Sequence, residues 1–280
     1  MTLSTTARVW LITGASSGLG LAISRAALAA GDRVISVSRS GYPDAASDPN
    51  VLDLRADVTD RAAVFAAVAE GVDAFGRLDI VVNNAGIMTS GFVEEFSESD
   101  ARAQLETNFF GALWVSQAVM PVLRGQGMGH IVQMSSIGAL GGFPSTGLYS
   151  ASKFALEGLS EALALEAAGF GVKLTIVEPG GYWTDLYNRM SASEPIAAYD
   201  GLRAELEKQF AEGSIDSDPA LAAEAILTLV NSDDPPLRLL LGSMVYDLAF
   251  DVSQQRMETW AGWEETSRAA EHAIPDPASH

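Results

Sequence analysis

The residues with the clearest chemical potential are a tyrosine and a lysine four positions apart, Tyr149 and Lys153. On a helix this spacing places both side chains on one face, about a turn apart. A free tyrosine has a pKa near ~10 and is a poor acid or base at neutral pH, but an adjacent ammonium favours the phenolate and lowers that pKa. Ser136 ends a strand-like run 13 positions earlier, with Ser135 beside it. The pattern predicts general acid–base chemistry centred on Tyr149, with Ser136 favoured over Ser135.

A glycine cluster is the second chemical feature, with Gly14, Gly18 and Gly20 in a G-x-x-x-G-x-G spacing. It follows an apolar run and precedes an alanine-rich segment of helix length. Residues without Cβ are needed where a strand turns sharply into a helix and the backbone approaches a ligand. The N–H groups at the N-terminus of that helix form a site for a pyrophosphate, so the cluster predicts a dinucleotide-binding loop.

The elements that must position these residues alternate along the chain. Nearly continuous apolar runs are typical of strands that are covered on both faces. Their alternation with helices implies right-handed crossovers and one doubly wound, Rossmann-type α/β domain over residues 1–280, with about seven parallel strands and helices on both faces. The predicted strands are residues 8–12, 33–38, 51–54, 79–83, 130–134, 172–177 and 237–241, and the main helices are 19–30, 60–74, 100–123 and 149–168.

The stretch from about 180 to 213 interrupts this alternation. It shows no strand pattern, and a short helix is predicted over 200–211. An insertion before the last strand is placed to form a substrate lid over the carboxyl ends of the strands, the alternative being a surface helical hairpin. A C-terminal helical extension is predicted over about 244–272, with Met257, Trp260 and Trp263 as apolar anchors.

Taken together, these motifs resemble the short-chain dehydrogenase/reductase family, and further segments support the resemblance over residues 8–185. Asn83-Asn84-Ala85-Gly86 matches the family's NNAG motif, Asp57-Val58 matches the pair that contacts the adenine ring, and Pro179-Gly180 with Thr184 matches the segment that holds the nicotinamide carboxamide. The resemblance implies a strand order of 3-2-1-4-5-6-7. The cofactor contacts that it implies are Gly14, Ser16, Ser17, Gly18, Leu19, Gly20, Ser38, Arg39, Asp57, Val58, Asn84, Ala85, Gly86, Tyr149, Lys153, Pro179, Gly180 and Thr184.

The same resemblance implies hydride transfer between a nicotinamide cofactor and a carbonyl carbon. Ser136 would hydrogen-bond the carbonyl oxygen, Tyr149 would donate the proton, Lys153 would also hold the ribose hydroxyls, and Asn108 would complete a water-linked proton relay. Two alternatives share the fold, an NAD(P)-binding epimerase or dehydratase and a non-catalytic NADP-binding sensor. The first usually shows a different glycine spacing, and the second typically loses the tyrosine or the lysine.

The end of the second predicted strand bears on the choice of cofactor. NAD binders of this kind usually place a carboxylate there, whereas this chain has Ser38 followed by Arg39. A guanidinium suits the 2′-phosphate in charge and geometry, so the resemblance implies a preference for NADP(H). Some NADP-binding relatives carry a basic residue within the glycine loop, where this chain has Ser17.

The residues predicted to line the substrate pocket are mostly apolar or aromatic. No lysine or arginine is evident among them to bind a carboxylate or phosphate, and Arg189 is expected at the surface. A neutral, fairly apolar ketone, aldehyde or secondary alcohol is therefore favoured as substrate. The predicted lining is Gly141, Gly142, Phe143, Tyr182, Trp183, Leu186 and Tyr187.

Composition excludes several other classes of function. The 280 residues include 36 Asp+Glu against 17 Lys+Arg, which gives a formal charge of −19, and no cysteine. Disulfides and thiolate zinc sites are excluded, three scattered histidines do not indicate a metal centre, and the charge disfavours nucleic acid and anionic membranes. With no targeting pattern, a cytoplasmic protein is expected. Relatives commonly form dimers or tetramers through the helices after the fourth and fifth strands, so a homodimer or homotetramer is expected.

Overall fold

The apolar runs form one seven-stranded parallel sheet in the computed structural model, which describes residues 7–43, 45, 48–184, 186, 189–213 and 217–271. Its strand order is β3-β2-β1-β4-β6-β7-β9, which confirms the predicted order once the two short strands β5 and β8, which pair only with each other, are left out. The strands are β1 (Val9–Thr13), β2 (Arg33–Ser38), β3 (Val51–Arg55), β4 (Ile80–Asn83), β5 (Thr89–Ser90), β6 (Gly129–Met134), β7 (Val172–Pro179), β8 (Ser191–Ala192) and β9 (Arg238–Leu241).

Helices cover both faces of the sheet, and β1 shows why its sequence is apolar throughout. The helices are α1 (Gly18–Ala29), α2 (Arg61–Phe75), α3 (Glu98–Leu105), α4 (Gly111–Gln126), α5 (Gly147–Ala168), α6 (Asp200–Gly213), α7 (Pro219–Val230), α8 (Ser243–Gly262) and α9 (Glu264–Ala269). Side chains alternate between the faces of a strand, so Val9 and Leu11 face α2, α4 and α5, while Trp10 and Ile12 face α1 and α7.

The single helix predicted over 100–123 is wrong in one respect. A π turn, Glu106–Phe110, separates α3 from α4, and the Gly111 N–H donates to the Glu106 carbonyl five residues earlier. The side-chain pattern does not reveal this extra residue, because the turn is stabilised by contacts with distant segments. Such turns are frequent at functional sites, and this one contains Asn108.

The segment before the last strand also differs from the prediction, because it includes a strand. β8 pairs in parallel with β5, and the neighbouring Ser193 and the Ile196 N–H donate to the carboxylate of Glu95, whose side chain is buried. Arg203 of α6 forms an ion pair with the same carboxylate. Glu95 therefore fastens the segment over 180–213 to the body of the protein at several points.

Candidate active site

A cleft of about 320 Å³ opens at the carboxyl ends of the central strands. It brings together most of the residues that the motifs predict, although they come from seven separate parts of the chain. The predicted residues that line it are Gly14, Ser16, Ser17, Gly18, Leu19, Ser38, Arg39, Asp57, Val58, Asn84, Ala85, Gly86, Ser136, Tyr149, Lys153, Pro179, Gly180, Tyr182, Thr184 and Leu186.

The glycine loop has a backbone that only glycine adopts without strain. Gly14 has φ +67° and Gly18 has φ +55°. A Cβ on Gly20 would lie 2.5 Å from both the Gly14 carbonyl oxygen and Asn84 Nδ2. The loop therefore lies directly against the turn after β4.

Thr13 and Asn84 tie those two turns together. Thr13 Oγ1 accepts hydrogen bonds of 3.0 Å from the Asn84 and Ala85 N–H groups, and Asn84 Nδ2 donates to the Thr13 carbonyl at 2.9 Å. A groove results that is lined in part by Gly14, Gly18 and Gly86 and that ends at the N-terminus of α1. That cradle fits the pyrophosphate of a dinucleotide.

Lys153 and Tyr149 lie on the first turns of α5, facing the cleft. Lys153 Nζ donates to the Met134 carbonyl at 2.7 Å and lies 5.6 Å from the centroid of the Tyr149 ring. Burial lowers the pKa of Lys153 to about 8, and the negative charge of Glu157 opposes that shift. The Tyr149 ring also packs on Gly138, where an added Cβ would lie 3.2 Å from it. The cationic amine and the phenol thus share one wall of the cleft.

Asn108 is buried behind this wall and connects it with the loop after β4. Its Oδ1 accepts from the Ile87 N–H at 2.9 Å, and its Nδ2 donates to the Ile87 carbonyl and to Ser152 Oγ, each at 3.0 Å. Ser152 precedes Lys153 on α5. The π turn therefore holds Asn108 where it fixes the position of the lysine's helix.

The two adjacent serines have different surroundings. Ser136 Oγ accepts from the Gly138 N–H at 3.1 Å at the floor of the cleft, so its hydroxyl proton can be directed to a ligand. Ser135 donates at 2.6 Å to Glu157 Oε1. The contacts therefore favour Ser136 for contact with a carbonyl oxygen.

Glu157 belongs to a group of charged side chains that the sequence analysis missed. Arg238 of β9 donates to Glu157 and also to Glu161. Glu178, which precedes Pro179, is fully buried with Arg238 Nε 3.4 Å away. Burial and the Glu157 charge raise the pKa of Glu178 to about 7, and Arg238 opposes this shift. The i, i+4 spacing of Lys153 and Glu157 was the available signal.

Replacing Glu157 with glutamine is expected to lower the pKa of Lys153 by about one unit, since it removes a nearby negative charge from a desolvated ammonium. The chain has three lysines, so ¹³C-lysine NMR can follow Lys153 directly. Glu161→Gln is the matched control, one turn further along α5 and more exposed, and it should leave the titration unchanged. An equal pKa of Lys153 in wild type and Glu157→Gln would show that the Glu157 charge does not act on Lys153.

The opposite end of the cleft carries two arginines. Arg39 is exposed at the end of β2 and lies 3.8 Å from Asp57, while the Ser38 hydroxyl accepts from the Gly41 N–H. Arg189, expected at the surface, is exposed and also lines the cleft, where it contacts Ser17 Oγ at 3.4 Å. Two guanidinium groups that can bind phosphate are therefore present at the end of the cleft that the glycine loop lines.

Several predicted substrate residues lie elsewhere. Gly141, Gly142 and Phe143 are outside the described lining of the cleft, in the segment that precedes α5. Trp183 is 73% exposed and lines a separate groove of about 690 Å³ between α1 and α7. Tyr187 lies outside the described residues. Ile87 and Met88, which were not predicted, line the cleft instead.

The described part of the chain has neither a membrane-spanning helix nor a cluster of metal ligands. No helix there is long and apolar enough to cross a membrane. That part also contains no group of three or more histidine or acidic side chains able to hold a metal ion.

Comparison with known proteins agrees with this geometry. The family profile described as short chain dehydrogenase matches residues 8–195. Oxidoreductase BOA17 of Botryotinia fuckeliana is 39% identical over 272 residues, covering 94% of this chain and 99% of the relative. The 3-ketodihydrosphingosine reductase of Bacteroides thetaiotaomicron is 36% identical over 245 residues, covering 85% and 89%.

The fold has solved counterparts as well. A short-chain dehydrogenase from Streptomyces avermitilis superposes with a TM-score of 0.87 at 38% identity, covering 96% of this chain and 100% of that one. Other structures that share the fold hold NAD or NADP. This chain belongs to the short-chain dehydrogenase/reductase family of oxidoreductases.

Proposed function

We propose that the protein is an NADP(H)-dependent oxidoreductase that interconverts a neutral, fairly apolar ketone or aldehyde and its alcohol. The observation that carries this proposal is that Tyr149, Lys153 and Ser136 line the same cleft as the glycine loop. When bound, the nicotinamide supplies or accepts the hydride. The chain's own residues then have to bind and orient the substrate and to transfer one proton.

Each proposed role follows from a contact. The Ser136 hydroxyl donates to the carbonyl oxygen, which can only accept, while Ser136 Oγ itself accepts from the Gly138 N–H. Tyr149 Oη gives its proton to the same oxygen as negative charge develops there. The ammonium of Lys153, held by the Met134 carbonyl, favours the phenolate that remains. Asn108 is a positioning residue that acts through Ser152 and Ile87.

The substrate class is supported by apolar side chains in the lining of the cleft. Ile87, Met88, Tyr182 and Leu186 are apolar or aromatic, and Arg189 contacts Ser17 on the side of the glycine loop. A neutral, fairly apolar ketone or aldehyde suits such a lining. The similarity to a reductase named for 3-ketodihydrosphingosine is in keeping with this class of substrate.

The test is a cofactor-consumption assay with NADPH and NADH in parallel, across ketones and aldehydes of graded size and polarity. Faster consumption of NADPH with apolar carbonyls supports the proposal. Tight binding of NADPH without turnover across the whole panel would favour the non-catalytic sensor, and copurification of tightly held NAD would favour an epimerase or dehydratase.

Arg39→Ala is expected to weaken NADPH binding by about 10- to 100-fold and to leave NADH binding unchanged. The reason is the loss of a charge-assisted hydrogen bond to the 2′-phosphate, worth about 1.5–3 kcal/mol. Calorimetry with both cofactors measures it, and Arg102→Ala, an exposed arginine on α3, is the control. An equal loss for both cofactors would contradict the proposed role of Arg39.

A further inference from the structure

The long C-terminal helix α8 has few contacts with the rest of the protein. Among its 20 residues, all of them described, Val245 alone is buried, packed so closely on Gly180 that a Cβ there would lie 2.9 Å from Val245 Cγ2. Arg256 adds a hydrogen bond of 2.7 Å to the Leu140 carbonyl. A helix gains most of its stability in a protein from packing of an apolar face. Leu248, Ala249 and Val252 are half-buried, and the remaining residues of α8 are exposed and without such packing.

Apolar side chains form a stripe along the exposed side of this helix, which we call the α8 seam. Its positions follow the 4-3 spacing of a helix that packs on another helix. The rings of Tyr246 and Phe250 are already in contact, with centroids 4.9 Å apart. The seam consists of Tyr246, Phe250, Ser253, Met257 and Trp260, and its four large side chains are 55–66% exposed.

The seam is large enough to be a contact patch rather than a set of scattered surface side chains. A large aromatic side chain has about 150–250 Å² of surface, so the four large side chains of the seam, each more than half exposed, present on the order of 500 Å². A stable interface buries about 800 Å² on each partner, so the seam supplies more than half of that area, and a contiguous apolar patch of this size on a monomer is often functional. The seam itself is also uncharged in a chain of net charge −19, so two copies can approach there without direct charge repulsion.

We propose that the α8 seam joins two copies of this chain, with the two α8 helices antiparallel about a two-fold axis. An axis near positions 251 and 252 sets Tyr246 against Met257 of the second copy and Phe250 against Ser253 of the second copy. Large side chains then face flexible or small ones, and the contact is self-complementary, as a two-fold dimer requires. A membrane surface is the less suitable occupant. Helices that lie on membranes carry mostly Lys and Arg on their polar face, whereas the polar positions of α8 include three acidic residues, Asp247, Asp251 and Glu258, and one basic residue, Arg256.

Sedimentation velocity on the full chain tests the pairing. Wild type is expected to be dimeric, and the double variant Phe250→Glu with Met257→Glu is expected to dissociate with a Kd at least 100-fold higher. Leu165→Glu is the matched control, because Leu165 is 83% exposed on α5, one of the helices through which relatives commonly assemble. A monomeric wild type, or a dimer that survives the double variant or dissociates with Leu165→Glu alone, would overturn the proposal.

A second measurement does not depend on how the double variant folds. Because the chain has no cysteine, Ser253→Cys introduces a single reactive thiol beside the proposed axis. A short bismaleimide should join two copies of Ser253→Cys, while the control Ser99→Cys on α3 stays uncoupled. Equal coupling of the two variants would count against the seam. Binding of a monomeric wild type to phosphatidylcholine vesicles would assign the seam to a membrane instead.

Discussion

Replacing Tyr149 with phenylalanine is expected to lower kcat by about two to four orders of magnitude while NADPH affinity changes by no more than a few-fold. The loss corresponds to removal of a positioned general acid, and the ring that packs on Gly138 and beside Lys153 stays in place. Steady-state rates with the best carbonyl substrate, together with NADPH calorimetry, measure the two effects separately.

Tyr199→Phe is the matched control for this change. Tyr199 lies in the segment directly before α6, and its hydroxyl donates to Glu94. Tyr199 is outside the described lining of the cleft, so this variant removes a tyrosine hydroxyl that does not face the reaction. We expect it to retain wild-type turnover. Near-normal turnover of Tyr149→Phe, or an equal loss in both variants, would remove the proposed acid–base role of Tyr149.

Gly20→Ala is expected to have the second largest effect, an NADPH affinity at least 100-fold lower. The added Cβ would lie 2.5 Å from the Gly14 carbonyl oxygen, a backbone atom in a loop that Thr13 and Asn84 hold in place. Relief of that overlap must move α1 away from the glycine loop, which also costs about 1–3 kcal/mol of folding free energy. Calorimetry measures the first effect and denaturant unfolding the second.

Gly158→Ala controls for the loss of a helical glycine as such. Gly158 is exposed on α5, and apart from the adjacent residues and the backbone of the helix itself no described atom lies within 4 Å of a Cβ built there. Because alanine favours the helix, this variant should gain about 0.5–1 kcal/mol of stability and keep its NADPH affinity. Wild-type NADPH affinity in Gly20→Ala would show that the close approach of the two loops is not needed for binding.

The sheet was predictable from the sequence because its strands carry their own signal. β1 and β4 are covered on both faces, so each is a run of apolar residues bounded by polar or glycine positions. The predicted catalytic side chains could be found in the sequence for a related reason. Tyr149 and Lys153 are held together by helix geometry, and Ser136 follows the end of β6, so local spacing already limits where each can lie.

The π turn and the composition of the cleft wall were not predictable in this way. Asn108 is held by Ile87 and Ser152, which are distant from it in sequence. The spacing of apolar and polar residues along the chain does not indicate such contacts. The path of a loop is equally nonlocal. Trp183 and Phe143 lie in loops beside the expected pocket, yet the chain directs Trp183 towards the groove between α1 and α7 and brings Ile87 and Met88 to the cleft.

The π turn also suggests how this helix could gain a polar site without losing its packing. A single inserted residue rotates everything after it by about 100° relative to a regular helix, unless the extra residue is absorbed in one wide turn. Here the turn over Glu106–Phe110 absorbs it, so Val115 and Val119 of α4 still reach the sheet while Asn108 faces Ile87. Deleting one residue from this turn would restore an uninterrupted helix and misdirect Asn108 together with α3. The number of residues in this segment therefore helps to decide where Asn108 lies, in addition to their side chains.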